Sequence, residues 1–261
     1  MTEFIANDAA GDFANEQALE IFAKLDRASV AFLLDVDGTL IDIGPSPFEV
    51  DVPDALKQTL ERLSRLSGGA LALVSGRPIR DIDTLFAPLK LPAVGGHGAE
   101  LRISGGASVS RVGDFPTAMR RRLIEAAIPG SGVVFEDKGY SVALHYRKAS
   151  HHEERLRAHI AATRAAFPDI ETEVLPGKAM FEVKRPGVDK GDGVRAVMAQ
   201  APFAGRMPVF IGDDVTDKAA FAALVEFGGK GFSVGCQFDG VDGVFSSPEQ
   251  VRQALWRLTC V

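Results

Sequence analysis

The chain has 261 residues, enough for one large domain or for a domain with an insertion. Its 46% apolar content is ordinary for a soluble globular protein, and its net charge of −6 offers no basic surface to nucleic acid or anionic lipid. The two cysteines come late, no apolar run reaches the roughly 20 residues of a membrane helix, and the acidic N-terminus is unlike a signal peptide. We therefore expect a cytoplasmic protein with no nucleic-acid or membrane partner. We also expect a monomer or weak dimer, although nothing in the composition determines the oligomeric state.

Apolar runs and turn signals predict alternating strands and helices over the first hundred residues. The expected elements are a short helix at 13–27, a strand at 30–34, a helix from Pro53, a strand at 70–74, a helix at 79–86 and two short strands flanking a Gly-rich stretch within 93–101. This alternation is typical of a doubly wound, mainly parallel sheet with helices on both faces.

The pattern changes after about residue 105. The expected elements are helices at 114–128 and 150–167, strands at 133–136 and 141–147, and a hairpin of strands 171–174 and 178–184 that turns at Pro176-Gly177. This αββαββ order predicts an inserted α+β domain with an antiparallel sheet. Alternation places Lys178, Glu182 and His145 on a face that we expect to be open, because an antiparallel sheet can bury one face only.

The α/β alternation returns after Pro186. The expected elements are a helix at 190–198, a strand at 208–211, a helix at 218–227, a strand at 231–234 and a helix at 248–258. We therefore predict an N-terminal segment at 1–29, an α/β core formed by 30–104 and 186–261, and an inserted domain at 105–185.

Acidic and hydroxyl side chains follow three of the predicted strands. They are Asp35 and Asp37 after the first, Ser75 after the second, and Asp213, Asp214 and Asp217 after the strand at 208–211. We expect them to meet at one sheet edge, because ligands in open α/β sheets bind beyond the carboxyl ends of the strands. Neighbouring carboxylates are costly without a cation, and oxygen ligands without His or Cys suit a hard ion, most simply Mg²⁺.

This arrangement predicts phosphoryl transfer. Asp35 is expected to attack phosphorus and form an aspartyl-phosphate, a known use of a carboxylate nucleophile. Asp37 is expected to protonate the leaving alcohol and then to deprotonate the attacking water. Ser75 and Lys190 would bind the phosphoryl oxygens.

The metal would be held by Asp213, with Asp214 and Asp217 supporting it directly or through water and Lys190. Simpler interpretations exist for single groups. Ser75 could cap a helix, Lys190 could be solvated, and the acids from Asp213 to Asp217 could form a capped helix start. His97, in the Gly-rich stretch, is either a loop histidine or a ligand.

Four motifs resemble those of the haloacid dehalogenase-like phosphatases: DVDGTL, VSGRP, the lysine of DKG and GDDVTD. The longer stretches SGRPIRDIDTLFAPLKLPAVGGHGAELR, EDKGYSVALHYRKA, GKAMFEVKRPGVDKG and APFAGRMPVFIGDDVTDKAAF resemble the bacterial trehalose-6-phosphate phosphatase family, over roughly Val30 to Ser233. The resemblance implies a Rossmann-like, HAD-like core with an inserted αββαββ cap domain for sugar recognition. It also implies Mg²⁺-dependent hydrolysis of trehalose 6-phosphate, a small-molecule substrate, to trehalose and phosphate.

Residue roles follow from the same resemblance. The implied catalytic residues are Asp35, Asp37, Ser75 and Lys190. The implied metal ligands are Asp35, Asp213 and the backbone of Asp37, to which the loop after the predicted strand at 208–211 adds Asp214 as a ligand and Asp217 in support. The implied substrate-binding residues are Thr39, Gly76, Arg77 and His97 in the core, and Lys138, Lys178 and Glu182 in the cap.

Three other functions compete with this one. The core motifs do not separate a phosphatase for trehalose 6-phosphate from one for sucrose or mannosylglycerate phosphate. A phospho-accepting regulatory domain is disfavoured, because it needs no acid/base at Asp37. A sugar-phosphate-binding protein without catalysis is disfavoured because all five groups, Asp35, Asp37, Ser75, Lys190 and Asp213, are present.

Overall fold

The computed structural model describes residues 16–44, 49–104 and 106–260. The chain divides into two compact units, each described by itself below. The first contains the described residues of Met1–Ile43, Val50–Val109 and Asp189–Val261, and the second contains those of Gly44–Glu49 and Ser110–Val188. The second unit differs by three to five residues at its ends from the insertion predicted at 105–185. The role of each part stays a prediction.

The elements alternate along the chain largely as expected. Up to residue 110 they are α1 (16–23), β1 (Val30–Leu34), α2 (Asp54–Leu66), β2 (Leu71–Val74), α3 (Ile79–Phe86), β3 (Ala93–Gly95), β4 (Glu100–Arg102) and β5 (Val109–Ser110). Then come α4 (Thr117–Ile124), β6 (Val134–Asp137), β7 (Ser141–His145), α5 (Glu153–Ala166), β8 (Glu173–Gly177) and β9 (Met180–Lys184). The last are α6 (Lys190–Met198), β10 (Met207–Gly212), α7 (Lys218–Leu224), β11 (Lys230–Val234), β12 (Gly243–Phe245) and α8 (Pro248–Thr259).

A mixed sheet forms the centre of the first unit, with strand order β12-β11-β10-β1-β2-β3-β4-β5. The strands from β12 to β3 run parallel, and β4 is antiparallel to β3. Because β1 is central and parallel to both neighbours, its residues must be buried on two faces. That requirement explains the uninterrupted apolar sequence VAFLL, all five residues of which are buried.

Helices cover both faces of this sheet. Phe32 and Leu34 of β1 join one apolar cluster with residues of α1, α2, α3 and α8, whereas Leu33 joins another with residues of α6 and α7. A fully buried Leu or Phe contributes about 1.5–3 kcal/mol by leaving water. The α/β class and the two-sided arrangement expected from the sequence are confirmed.

The second unit contains a four-stranded antiparallel sheet of order β6-β7-β9-β8. One face packs on α4 and α5 through an apolar cluster that includes Leu123, Leu144, Ile160 and Val183. The αββαββ order is as predicted.

The predicted hairpin turn was wrong by two residues. Pro176 and Gly177 lie on β8, opposite Phe181 and Met180, and the chain turns at Lys178 and Ala179. A proline is compatible with β8 because this strand is at the sheet edge, where a missing N–H need not break a ladder bond. Ala179 takes the left-handed conformation of the turn, with φ of 59°.

Other differences are small. Helix α4 begins only after Pro116, since proline is suited to a helix start. Residues 13–15 of the first predicted helix lie outside the described part of the chain. Within the described part, no helix is long and apolar enough to span a membrane.

Candidate active site

Three side chains of the site come directly after three neighbouring parallel strands. Asp35 follows β1, Ser75 follows β2 and Asp213 follows β10, so all three lie at the carboxyl edge of the sheet. The backbone N–H of Asp35 donates to the carbonyl of Ile211 at 2.9 Å, which continues the β1–β10 ladder to the site.

A buried carboxylate cluster lies at this edge. Asp35, Asp213 and Asp217 each place a carboxylate oxygen within 4.8 Å of the others, and none is more than 6% exposed. Lys190, the first residue of α6, donates from Nζ to Asp35 at 2.8 Å and to Asp217 at 2.5 Å. Its position is set by Asp189, which caps α6 in a reciprocal capping box with Asp192.

Asp217 also organises the loop after β10. Its Oδ2 accepts hydrogen bonds from the backbone N–H groups of Asp213 and Asp214, both at 2.9 Å, and its Oδ1 accepts from Lys190. Asp217 is completely buried, so these three bonds compensate for its lost hydration. Asp217 therefore fixes the position of Lys190 relative to the backbone of Asp213.

The charges within the cluster do not balance. Burial, reinforced by the carboxylates of Asp217 and Asp213, raises the pKa of Asp35 well above its ordinary value, although Lys190 opposes the shift. Burial alone would lower the pKa of Lys190, but the charges of Asp217 and Asp35 outweigh it and raise the pKa. Three acids around one ammonium leave an excess of negative charge that a further cation would neutralise.

The residues present fit a hard divalent cation. The donor atoms are all carboxylate oxygens, which Mg²⁺ prefers. Gly38 provides space beside them: its φ is 84°, and a Cβ built there would overlap the Asp213 carboxylate. The site thus has both the donors and the room that an ion requires.

Asp214 does not join this cluster. Its side chain accepts from the N–H of Val215 at 2.6 Å and caps the short helical turn Val215–Asp217, with Asp217 completing the capping box. The metal role that the sequence suggested for Asp214 has no support in this geometry. Asp217 is the third carboxylate of the cluster instead.

Asp37 is paired with Arg77, whereas Asp35 is paired with Lys190. Nε of Arg77 donates to its Oδ2 and NH2 donates to its Oδ1, both at 2.6 Å. The two aspartates follow strand β1, which ends at Leu34, and Gly38, with φ of 84°, comes directly after the second. Asp35 and Asp37 therefore have different charged partners, which are Lys190 for Asp35 and Arg77 for Asp37.

The loop after β2 interlocks with the Gly-rich stretch. Ser75 is buried; its Oγ accepts from the N–H of Arg77 at 3.1 Å, and its carbonyl accepts from the N–H of His97 at 3.0 Å. His97 has φ of 52°, and its ring lies so close to Gly76 that a Cβ there would overlap it. Thr39 is fully buried near the start of the turn, and its hydroxyl finds no hydrogen-bond partner among the described residues.

The second unit carries a polar cluster of its own. Glu182 of β9 accepts from Lys138 Nζ at 2.7 Å and from Ser141 Oγ at 2.6 Å. His145 and Glu136 pair at 2.7 Å on the same face of the sheet. This face was expected to be open, but Glu182 is 0% exposed. Its charge is compatible with burial because it is paired and hydrogen-bonded.

The structure places Lys178 before the start of strand β9. It lies in the exposed turn between β8 and β9, where its carbonyl accepts from Arg147 at 3.1 Å. The sequence had placed it on the strand beside Glu182. The two-residue error in the hairpin accounts for the difference.

Comparison with known proteins shows which family the chain belongs to. The family model for Trehalose-phosphatase matches residues 33–248, most of the chain. The chain belongs to the trehalose-phosphatase family. Trehalose-6-phosphate phosphatase of Escherichia coli K12 is 37% identical over 241 residues, 87% of this chain and 88% of the relative. A probable trehalose-phosphate phosphatase of Sinorhizobium fredii is 39% identical over 226 residues, 85% of this chain and 84% of the relative.

A solved structure agrees with the fold. The C-terminal domain of a C. albicans trehalose-6-phosphate phosphatase aligns over 94% of this chain and 96% of its own, with a TM-score of 0.74 and 22% identity. The HAD-like fold expected from the four motifs is confirmed. The expected class of phosphoric monoester hydrolase is confirmed by the family model and the curated relatives. Membership of the trehalose-phosphatase family also implies a divalent metal.

Sequence reasoning missed several residues of this trehalose-phosphatase fold. Glu136 lies two positions before Lys138, so strand alternation alone could have placed the two on one face. The Arg77–Asp37 pair had no sequence signal, since its members are 40 residues apart. Glu100 was also missed: its Oε2 accepts from the N–H of Ile79 at 2.6 Å and caps α3 from a distant position.

Proposed function

We propose that this protein hydrolyses trehalose 6-phosphate to trehalose and phosphate, with Mg²⁺ and a phosphoryl group carried on Asp35. The observation that carries the proposal is the buried Asp35 at the sheet edge, 2.8 Å from Lys190 and within the carboxylate cluster. A buried carboxylate among other acids is unusual unless chemistry requires it. Membership of the trehalose-phosphatase family supports the substrate.

Asp35 and Asp37 divide the reaction between them. An oxygen of Asp35 attacks phosphorus, the bond from phosphorus to the sugar oxygen breaks, and that oxygen takes its electron pair and a proton from Asp37. Water then attacks phosphorus and gives a proton to Asp37, and the bond to Asp35 breaks. Phosphate leaves, and both aspartates regain their starting forms.

The remaining core residues bind and orient. Lys190 and Ser75 are proposed to hold phosphoryl oxygens, and Asp217 holds Lys190 in place. Asp35 and Asp213, with the backbone of Asp37, are proposed to hold Mg²⁺. When bound, the ion neutralises the excess negative charge of the cluster and withdraws charge from the phosphoryl oxygens.

Sugar recognition is assigned to both units. We propose that Thr39, Gly76 and His97 contribute from the core, and Lys138, Lys178 and Glu182 from the second unit. The Lys138–Glu182 pair supports this role, because a paired, buried acid and ammonium can read hydroxyl positions and penalise the wrong sugar. The cytoplasmic location and the state of monomer or weak dimer stay predictions.

The deciding experiment is phosphate release by the purified protein with Mg²⁺, using EDTA as control. Trehalose 6-phosphate is compared with sucrose 6-phosphate, glucose 6-phosphate and p-nitrophenyl phosphate. We expect at least about a hundredfold preference in kcat/KM for trehalose 6-phosphate, equivalent to about 3 kcal/mol of transition-state discrimination. Equal rates on all sugar phosphates would support the phosphatase activity but reject trehalose 6-phosphate as the specific substrate. No release from any ester would favour a binding protein.

A single substitution tests the covalent step. Asp35→Asn keeps the shape of the side chain and removes the attacking charge, so turnover should fall below detection. Near-normal rates in this variant would show that Asp35 is not the nucleophile.

A further inference from the structure

A bidentate ion pair joins two residues of the core that the proposed mechanism treats separately. Arg77 contacts Asp37 side-on, with Nε on one carboxylate oxygen and NH2 on the other, both at 2.6 Å. The Arg77 side chain is 11% exposed and that of Asp37 is 35% exposed. Two parallel N–H bonds fix the plane of a carboxylate as well as its position.

The backbone of Arg77 is held on both sides. Its N–H donates to Ser75 Oγ at 3.1 Å, and its carbonyl accepts from the N–H of Gly96 at 2.9 Å. Two residues after Arg77, the N–H of Ile79 at the start of α3 donates to Glu100 Oε2 at 2.6 Å. The guanidinium therefore starts from a rigid loop, unlike an exposed ion pair whose side chains must be ordered for the contact to form.

The pair determines where the acid/base group of the reaction can be. Arg77 uses one lone pair of each Asp37 carboxyl oxygen, and a second lone pair on either oxygen can hold the proton that is transferred. A carboxyl group held at both oxygens cannot rotate freely, so its distance from the leaving oxygen is set by Arg77. Proton transfer requires hydrogen-bond reach between the side chain and the oxygen that receives the proton. A small displacement of such a group can slow a reaction a hundredfold.

We propose that Arg77 is a positioning residue for proton transfer to the leaving oxygen, acting through Asp37 and not through the substrate. The inference rests on the proposed function, because it needs a phosphate ester whose leaving group requires a proton. It differs from a sugar-binding role for Arg77, in which the guanidinium would contact the substrate itself.

Two kinds of ester separate these roles. The alcohol of trehalose is a poor leaving group that needs a proton, whereas p-nitrophenolate leaves readily without one. The parameter to compare is kcat/KM, because it reports the steps up to departure of the leaving group and excludes hydrolysis of phosphorylated Asp35. Four forms of the protein are required: wild type, Arg77→Met, Asp37→Asn and the double variant.

We expect Arg77→Met to lower kcat/KM for trehalose 6-phosphate about a hundredfold, the lower end of what general acid catalysis contributes. The value for p-nitrophenyl phosphate should fall less than about fivefold, since the proton is not needed there. In the Asp37→Asn background, Arg77→Met should change either value less than about threefold, because residues that act as a unit are not additive. Arg77→Lys should be intermediate, since an ammonium lacks the planar fork.

Arg102 provides a matched control. It makes a similar bidentate pair with Asp83 in the same unit, at 2.7 Å for each bond, and is 4% exposed. Arg102→Met should lower the unfolding temperature and leave the ratio of the two kcat/KM values unchanged. If that variant does not fold, Asp83→Asn serves the same purpose.

Two other patterns of loss would overturn the inference. An equal loss on trehalose 6-phosphate in both backgrounds would mean that Arg77 contacts the sugar. An equal loss on both esters in both backgrounds would mean that it contacts the phosphoryl group. If the wild type prefers another sugar phosphate, the substrate assignment fails and the same cycle is measured on that ester. No hydrolysis of any ester rejects the proposed function and this inference together.

Discussion

Removal of one acid from the carboxylate cluster should stabilise the metal-free protein. Asp35, Asp213 and Asp217 lie within 4.8 Å of one another, and Lys190 contacts the first and the last. Asp213→Asn keeps the shape of the side chain and removes one charge. The variant loses the repulsion of Asp213 with Asp35 and with Asp217, whereas the contacts of Lys190 with those two acids remain.

The size of the effect follows from the distances. Two unit charges 4.8 Å apart repel by about 3.5 kcal/mol at an effective dielectric constant of 20. Burial and these neighbours raise the pKa of Asp35, which favours its neutral form and makes the repulsion in the wild type smaller than this value. We therefore expect Asp213→Asn to gain about 2 kcal/mol without metal. For a chain of this size the unfolding temperature should rise by about 4–8 °C.

Thermal unfolding with EDTA and with Mg²⁺ measures both parts of the prediction. Mg²⁺ at a hundred times its dissociation constant should stabilise the wild type by about 2.7 kcal/mol, whereas Asp213→Asn should no longer respond. Asp83→Asn is the control: it breaks a buried pair with Arg102 outside the cluster, so it should lower the unfolding temperature and keep the Mg²⁺ response. A lower unfolding temperature for Asp213→Asn in EDTA would refute the repulsion argument. An unchanged Mg²⁺ shift in that variant would locate the ion elsewhere.

Three further predictions concern a glycine, a buried acid and a distant helix cap. Gly38→Ala should abolish the Mg²⁺ shift, because its Cβ overlaps the Asp213 carboxylate, whereas Gly240→Ala, with φ of 80° and open space, should keep it. Burial works to raise the pKa of Glu136, but hydrogen bonding to His145 and the Lys138 charge lower it below 4.5. Its contribution to stability is then complete above pH 4.5 and lost as pH falls through the folded pKa, so Glu136→Gln should flatten the acid side of a plot of unfolding free energy against pH. Glu100→Ala should cost about 1 kcal/mol in urea unfolding, since the N-terminus of α3 loses its cap.

Much of the core could be predicted because its signals are local. The run from Val30 to Leu34 has no alternation, which required burial on two faces and hence a central parallel strand. Helix α6 begins at Lys190, as predicted, directly after its capping residue Asp189. Errors occurred where a local signal disagreed with strand pairing. Pro176 is an example: proline is common in turns, so we predicted a turn there, but the residue lies on the edge strand β8.

The candidate site was predictable only to the level of which loops meet. Strand order brings the ends of β1, β2 and β10 to one edge, so Asp35, Ser75 and Asp213 were identifiable from their positions after apolar runs. Which acid of the last loop completes the cluster was not identifiable, because Asp214 and Asp217 are both near Asp213 in sequence. The backbone of the turn Val215–Asp217 decides it by directing Asp214 into a cap and Asp217 toward Lys190.

The sequence by itself determined the class of fold, the family and the chemistry of the side chains at the sheet edge, since apolar periodicity and motif spacing are properties of the chain. The pairing of those side chains follows only from the way the chain folds. Arg77 finds Asp37 across 40 residues, and Lys190 finds Asp35 across 155. Such pairs depend on the dihedral angles of turns and on which strands are neighbours. They matter for stability because a buried charge without a partner strongly destabilises the folded protein.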